Sequence, residues 1–168
     1  MNNLSIKNKL LAVFIFLLST SFSSAEIVKK IVIDGNERVN SETIKVFGKV
    51  KVGDDLDNKD LNKILKNLYE TNFFENVNLS LNDSTLLINL VENPIIQNLV
   101  IKGIENDSLK KKIIDTISLK EKNPYVENEI KFSLKNIKNL LQEIGFYFSN
   151  VEILQKKNDN NTIDLILD

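Results

Sequence analysis

The chain contains no cysteine and no histidine among its 168 residues. Without cysteine it cannot form a disulfide, even in a compartment that would permit one. Without histidine it lacks the side chain that most often acts as a general base or metal ligand near neutral pH. Zinc sites built from Cys and His are excluded as well. Catalysis would therefore depend on carboxylates, lysine or serine.

A surplus of positive charge is also missing, because the formal net charge is −1 and Arg38 is the only arginine. Binding to nucleic acid depends on clustered Lys and Arg that displace counterions. The sequence therefore predicts no nucleic-acid partner.

The acidic residues form no catalytic or metal-binding pattern. Gly53–Asp55 is too short for a calcium loop, and the chain has no Gly-rich phosphate loop or nucleophile elbow. We therefore predict no enzyme activity, no cofactor and no metal, with an enzyme that uses carboxylates alone as the remaining alternative. The following acidic residues are interpreted as solvated or helix-capping groups: Glu26, Asp54, Asp55, Asp57 and Asp60.

Residues 1–25 have the layout of a secretion signal. Lys7 and Lys9 precede an unbroken apolar run, Leu10–Leu18, which small polar residues follow. This pattern predicts cleavage between Ala25 and Glu26. The mature chain would then contain 20 basic and 23 acidic residues. The alternative is an uncleaved anchor, but a spanning helix needs about 20 apolar residues.

The rest of the chain is an internal repeat. Three segments recur 68, 73 and 74 residues later: Ile31–Glu37 as Leu99–Glu105, Leu61–Leu68 as Leu134–Leu141, and Phe73–Val77 as Tyr147–Val151. Repeats at a fixed spacing indicate one structural unit used more than once. We therefore predict two units, residues 26–93 and 94–168. The Asn93-Pro94 joint offers almost no flexible linker, which predicts a restricted relative orientation.

Each unit is predicted to have the order β-α-α-β-β. A β-branched run opens it, Ile27–Asp34 or Ile95–Lys102, and ends at a glycine that suits positive φ. A hairpin with period-two alternation closes it. The sequence thus predicts an α+β fold in which two helices cover one face of a three-stranded mixed sheet.

Both helices of each unit show capping signals or an apolar stripe. The short helices are predicted at about Ser41–Phe47, capped by Asn40 or Ser41, and at about Ser108–Ile117, capped by Asp107 or Ser108. Asp57 with Asp60 is a first-turn signal for the longer helix of the first unit. The stripes of the longer helices have a period of 3.6 residues: Leu61, Ile64, Leu65 and Leu68, then Ile130, Leu134, Ile137, Leu141 and Ile144.

This ordered set of segments resembles the polypeptide-transport-associated (POTRA) family, as found in BamA-like outer-membrane protein assembly factors. Ile31–Thr43 resembles the opening of a first POTRA domain, and Val91–Ile101 resembles the junction between the first two. Gly145–Val151 resembles the family's Leu-Tyr-x-Thr-Gly-x-Phe-x-x-Val signature, and Asn72 stands where that signature usually has Gly. In the first unit the signature is matched by Leu68, Tyr69, Thr71, Phe74 and Val77.

The resemblance implies a periplasmic protein associated with the cell outer membrane. Such members carry several POTRA domains and then a C-terminal β-barrel, so the chain is expected to be truncated before further units and the barrel. The implied partners are unfolded outer-membrane proteins, periplasmic chaperones and outer-membrane assembly lipoproteins. One alternative is the POTRA region of a two-partner secretion transporter. Another is a cell-division or structural protein with POTRA-like domains and an uncleaved anchor.

The candidate binding elements are the edge strands of the two sheets. If the last strand of each unit lies centrally, the strand before it is an edge whose unpaired N–H and C=O groups can pair with an incoming extended chain. We therefore predict client binding, with ordinary unpaired edges as the alternative, at Val77, Asn78, Leu79, Ser80 and Leu81, and at Val151, Glu152, Ile153, Leu154 and Gln155. Most of the neighbouring aromatic residues are expected in the core or at a corner: Phe73, Phe74, Phe146, Tyr147 and Phe148.

Overall fold

The structure, a computed structural model, describes residues 25–168. The predicted signal segment lies outside this range apart from Ala25, so cleavage after Ala25 stays a prediction. The first unit consists of β1 (Glu26–Ile27), β2 (Lys30–Asp34), α1 (Ser41–Gly48), β3 (Asp55–Leu56), α2 (Asn58–Glu70), β4 (Phe74–Asn82) and β5 (Thr85–Glu92). The second consists of β6 (Ile95–Ile101), α3 (Asp107–Thr116), α4 (Glu127–Glu143), β7 (Ile153–Asn158) and β8 (Thr162–Leu167).

Each unit has a three-stranded mixed sheet with the last strand in the centre. The strand orders are β2-β5-β4 and β6-β8-β7. The first strand of each sheet pairs parallel with the central strand, because the two intervening helices return the chain to the same end. The other pair is an antiparallel hairpin. The predicted α+β fold and the central position of the last strand are confirmed.

The first strand of the first unit is shorter than predicted. Instead of one strand over Ile27–Asp34, β1 pairs antiparallel with β3 in a separate two-stranded ribbon, and β2 begins only at Lys30. Between them Val28 is fully buried, and its N–H donates to the Asp54 carbonyl at 2.8 Å. The chain breaks at this point because Val28 turns into the core.

Two of the helix caps agree with the sequence pattern and one does not. Asn40 caps α1, and Asp57 caps α2 in a capping box with Asp60. The α3 cap is Asn106, which accepts the Leu109 N–H at 3.0 Å. The prediction of Asp107 or Ser108 was therefore wrong by at least one residue, because Asn106 has the extended backbone and the accepting side chain of an N-cap.

One apolar core lies between helices and sheet in each unit. The first is formed by Val28, Ile44, Val50, Leu56, Ile64, Leu68, Phe74, Val77, Leu86, Ile88 and Leu90. The second is formed by Ile96, Ile113, Ile117, Leu119, Ile130, Ile137, Leu141, Ile163, Leu165 and Leu167. The helical stripes point into these cores, except that Ile144 lies past the end of α4 and is exposed. Within residues 25–168, no helix combines the length and apolar character needed to cross a membrane.

The aromatic residues before the two hairpins behave differently. Phe74 is buried and Phe73 stacks on Phe47 with ring centroids 5.7 Å apart. The second unit contradicts the expectation, because its aromatic residues lie in the link between the end of α4 and the start of β7. That link is longer than the one after α2, and it holds the rings away from the core. The exposed residues are Phe146, Tyr147 and Phe148.

Two residues with positive φ allow the chain to turn sharply, one after β2 and one after α2. Gly35 has φ +83°, and a Cβ built there would lie 2.0 Å from the Leu90 carbonyl oxygen. Asn72 has φ +60° in the link between α2 and β4. Asparagine enters this left-handed region more readily than most side chains, so it can replace the glycine of the family signature.

Candidate binding surface at the sheet edges

The predicted binding residues lie on the edge strands in both units. Val77–Leu81 lies inside β4 and Ile153–Gln155 inside β7, and each of these strands pairs on one side only. Glu152 comes just before β7 but exchanges both backbone hydrogen bonds with Asp168 at 3.0 Å. Val151 lies outside the strand, so the predicted start of this edge was too early. The edge position is confirmed, whereas binding at these residues stays a prediction.

The backbone of β7 shows which groups are free to bind. In an antiparallel pair, residues alternate between those that bond their partner and those whose N–H and C=O point away. Because Glu152 bonds Asp168 in both directions, every second residue from it also faces β8. The outward groups therefore belong to Ile153, Gln155 and Lys157.

The same argument applies to β4. The Val77 N–H donates to the hydroxyl of Tyr69 at 3.1 Å, so it points away from β5. By alternation, the N–H and C=O of Leu79 and Leu81 also point outward. Asn78 and Ser80 then bond β5, opposite Asn89 and Leu87.

A shallow groove borders the β4 edge. Its volume is about 280 Å³, and it lies between α2 and the strand. Apolar and amide side chains line it: Asn58, Leu61, Asn62 and Leu65 from the helix, and Val77, Asn78 and Leu79 from the strand. An extended chain paired with β4 could place alternate side chains against this groove.

The β7 edge has a different setting, since it is more polar and lies near a larger cleft. Lys156 and Lys157 are exposed, and whether they are contacts or protect the edge from aggregation stays open. The Tyr125 hydroxyl donates to Gln155 Oε1 at 3.0 Å. Burial, and next the charge of Glu127, raise the pKa of Tyr125, so this phenol stays protonated at neutral pH. The cleft, of about 580 Å³, is lined by residues that include Ile113, Ile137, Leu141, Phe146 and Val151.

A polar cluster that the sequence did not reveal lies at the joint between the units. Glu92 is 3% exposed, and its Oε1 accepts the N–H groups of Glu37, Arg38 and Val39 at 2.9–3.0 Å. The Nε of Arg38 lies 3.2 Å from the other carboxylate oxygen. The same guanidinium donates to the carbonyls of Asn93 and of Asn161 in the second unit. No local pattern links these residues, which lie far apart in sequence.

Charged side chains elsewhere do not assemble into a chemical site. Across residues 25–168, no group of three or more acidic side chains is placed to hold a metal ion. Of the acidic residues singled out from the sequence, Asp57 and Asp60 cap α2. Asp54 accepts the Lys51 N–H at 2.9 Å, and the Glu26 carboxylate accepts the Ser84 N–H. These carboxylates hold local turns and helix ends.

Comparisons with known proteins place these features in context. The family model of POTRA, described as surface antigen variable number repeat, matches residues 26–93 and again 94–168. The chain is similar to the outer membrane protein assembly factor BamA of Neorickettsia risticii (strain Illinois), with 34% identity over 128 residues, or 76% of this chain and 17% of that protein. It is also similar to BamA of Neisseria meningitidis serogroup B, with 34% identity over 89 residues, or 51% of this chain and 11% of that protein. The chain thus spans only a small part of these relatives.

Solved structures share the fold at low identity. The N-terminal domain of Omp85 from Thermosynechococcus elongatus has a TM-score of 0.54 and 14% identity, covering 84% of this chain and 61% of that chain. The POTRA1-3 segment of Omp85 from Anabaena has a TM-score of 0.50 and 15% identity, covering 84% of this chain and 60% of that chain. At such identity these likenesses show the fold alone.

Proposed function

The chain belongs to the POTRA family, and on this premise we propose that it is a periplasmic binding module of the outer-membrane β-barrel assembly machinery. In this proposal it holds unfolded outer-membrane proteins in extended form along β4 and β7, and passes them on for folding and insertion. It acts by binding and carries out no catalysis.

The observation that carries the proposal is the pair of open strand edges. Both β4 and β7 direct alternate backbone N–H and C=O groups away from their only partner strand. An added strand satisfies these groups whatever its side chains are, so one edge can accept many client sequences. Unfolded barrel proteins are rich in alternating strands, which suit the β4 edge and the groove of apolar and amide side chains beside it.

The location and the further partners follow from the same premise. The apolar run before Ala25 supports export, and membrane attachment would come through a C-terminal barrel, as the resemblance implies. Periplasmic chaperones and outer-membrane assembly lipoproteins are the other proposed partners. Intact-mass analysis of the exported protein tests the first step, since cleavage as proposed gives a new N-terminus at Glu26. An intact Met1 would instead indicate an anchor.

Client binding is tested with a labelled extended peptide. We would titrate the protein with a nine-residue peptide of alternating apolar and polar residues, which matches the length of β4, and follow the backbone amides by NMR. The proposal expects the largest shifts at Leu79, Leu81, Ile153, Gln155 and Lys157.

The matched controls are the same peptide methylated at every second amide nitrogen and at all of them. Methylation of every second amide removes the donors from one edge of the peptide and leaves the other edge able to pair, whereas methylation of every amide removes the donors from both edges and should abolish binding. If the fully methylated peptide binds as well as the unmethylated one, or if the shifts fall on the helices, edge pairing is wrong.

A further inference from the structure

The hydroxyl of Tyr69 binds a backbone N–H that a client strand would need at the start of the β4 edge. Its hydroxyl accepts the outward N–H of Val77 at 3.1 Å and donates to Asn76 Oδ1 at 3.5 Å. We infer that Tyr69 shields this edge at Val77 in the free protein, so that a client strand docks at Leu79 and Leu81 and must displace the hydroxyl to pair with Val77 as well. This inference rests on the proposed function.

The position of Tyr69 is built into the link between α2 and β4. The helix ends at Glu70, and the Thr71 hydroxyl donates to the Leu68 carbonyl at 2.7 Å. Asn72, in the left-handed region, donates its N–H to the Tyr69 carbonyl at 3.1 Å and turns the chain straight into the strand. The last turn of the helix is thereby held beside the edge, where Tyr69 is 40% exposed.

The chemistry of a phenol suits a removable shield. A hydroxyl has one proton and two lone pairs, so Tyr69 can satisfy the Val77 N–H while it donates to Asn76. A client carbonyl could take over the same N–H, and the phenol could then turn toward water because it is already partly exposed. The shield therefore discourages weak or accidental pairing without blocking a strand that also pairs with Leu79 and Leu81.

The second unit lacks this arrangement. The residue that aligns with Tyr69 is Gln142, one position after Leu141. In the described part of the chain, no side chain accepts the outward N–H groups of Ile153, Gln155 or Lys157. The two edges are therefore inequivalent, with β7 open along its length and β4 covered at Val77.

The test is Tyr69→Phe in the full chain, which keeps the ring and removes only the hydroxyl. Tyr147→Phe is the matched control, because Tyr147 is an exposed phenol in the second unit. In the free protein, the Val77 amide should exchange its hydrogen about 2- to 10-fold faster in Tyr69→Phe, the range expected for one hydrogen bond of ordinary net strength. The same variant should bind the nine-residue peptide at β4 tighter by a similar factor, with binding at β7 unchanged.

The outcomes separate this inference from the function on which it rests. If the Val77 amide exchanges at the same rate in both proteins, or if Tyr147→Phe has the same effect, Tyr69 is not the shield. If the peptide binds β4 in the wild type but no tighter in Tyr69→Phe, the inference fails while edge binding stands. If the peptide binds neither edge in either protein, the proposed function fails, and the inference that rests on it fails as well.

Discussion

Proline substitutions at neighbouring positions of β4 provide the sharpest test of the edge. Proline removes one backbone N–H, and the structure assigns opposite directions to the N–H groups of Leu79 and Ser80. The Leu79 N–H points outward, whereas that of Ser80 bonds the carbonyl of Leu87 on β5. Leu79→Pro should therefore remove a client contact, and Ser80→Pro should remove a bond within the sheet.

The two costs to folding can be worked out from the burial of these residues. Ser80→Pro loses a ladder bond worth about 0.5–1.5 kcal/mol and leaves the half-buried Leu87 carbonyl without a donor, at about 1–3 kcal/mol more. Leu79→Pro loses no ladder bond, and the partial exposure of its half-buried side chain costs about 1 kcal/mol. The single core of a domain of this size rarely supplies more than about 3–5 kcal/mol of stability. Ser80→Pro should therefore bring the first unit close to unfolding, and Leu79→Pro should not.

Urea unfolding followed by circular dichroism measures the first effect, and titration with the extended peptide measures the second. We expect Leu79→Pro to stay folded and lose peptide binding at β4. Ile153→Pro and Leu154→Pro repeat the comparison on β7, where Ile153 has the outward N–H. If Leu79→Pro destabilises the protein as much as Ser80→Pro does, the assignment of outward groups on β4 is wrong.

Three further predictions concern contacts away from the two edge strands, at a helix cap, at a turn and at the joint between the units. The Lys63 ammonium, and next the backbone N–H of Asp57, lower the pKa of Asp60 in the folded protein. The Asp60 carboxylate therefore contributes to stability above the ordinary aspartate pKa of about 3.9. This contribution is lost as the pH falls through the lower pKa of the folded state. Asp60→Asn should flatten the loss of unfolding free energy in that acid range, and an unchanged slope would contradict it. Gly35→Ala should cost at least about 1–3 kcal/mol, because its Cβ would lie 2.0 Å from the Leu90 carbonyl oxygen at a φ of +83°; urea midpoints decide this. Arg38→Lys should broaden the distance distribution between spin labels on the two units, since one ammonium cannot replace the planar fork of donors, and an unchanged distribution would show that other contacts set the orientation.

Local patterns in the sequence were sufficient for the fold class, whereas the position of the edges depended on a condition. The repeat, the two periodicities and the need for a helical crossover predict a three-stranded mixed sheet in each unit. The last strand had to lie in the centre for the strand before it to be an edge, and the strand order meets this condition. The capping box at Asp57 is equally local, because it depends on residues three positions apart. The exposed aromatic residues of the second unit could not be found in this way. Phe148 aligns with the buried Phe74, but whether its ring reaches the core depends on the length of the link before β7.

The direction of each backbone N–H is another property that the sequence does not carry. Alternation of apolar residues tells which side chains face the core, but it does not tell on which side of the strand the partner strand lies, and so whether a given N–H meets that partner or the open edge. The direction follows from the register of the hairpin, and on β4 it was recognised from the bond between Val77 and Tyr69. Tyr69 belongs to the family signature, yet only the contact reveals what its hydroxyl does.

The joint between the units depends on contacts between residues that are distant in the sequence. The energetics of these contacts indicate whether the joint stabilises the units or fixes their orientation. A buried ion pair adds little net stability, because the loss of hydration offsets the attraction. Glu92 is nevertheless compensated by three N–H donors, which leaves the Arg38 guanidinium able to reach Asn161 in the second unit. The pair therefore fixes orientation more than it stabilises either unit. Orientation matters for a binding module because Glu75 at the start of β4 and Lys157 near the end of β7 line one cleft of about 380 Å³ at the joint. Asn93 lines the same cleft, and its carbonyl accepts a hydrogen bond from the Arg38 guanidinium.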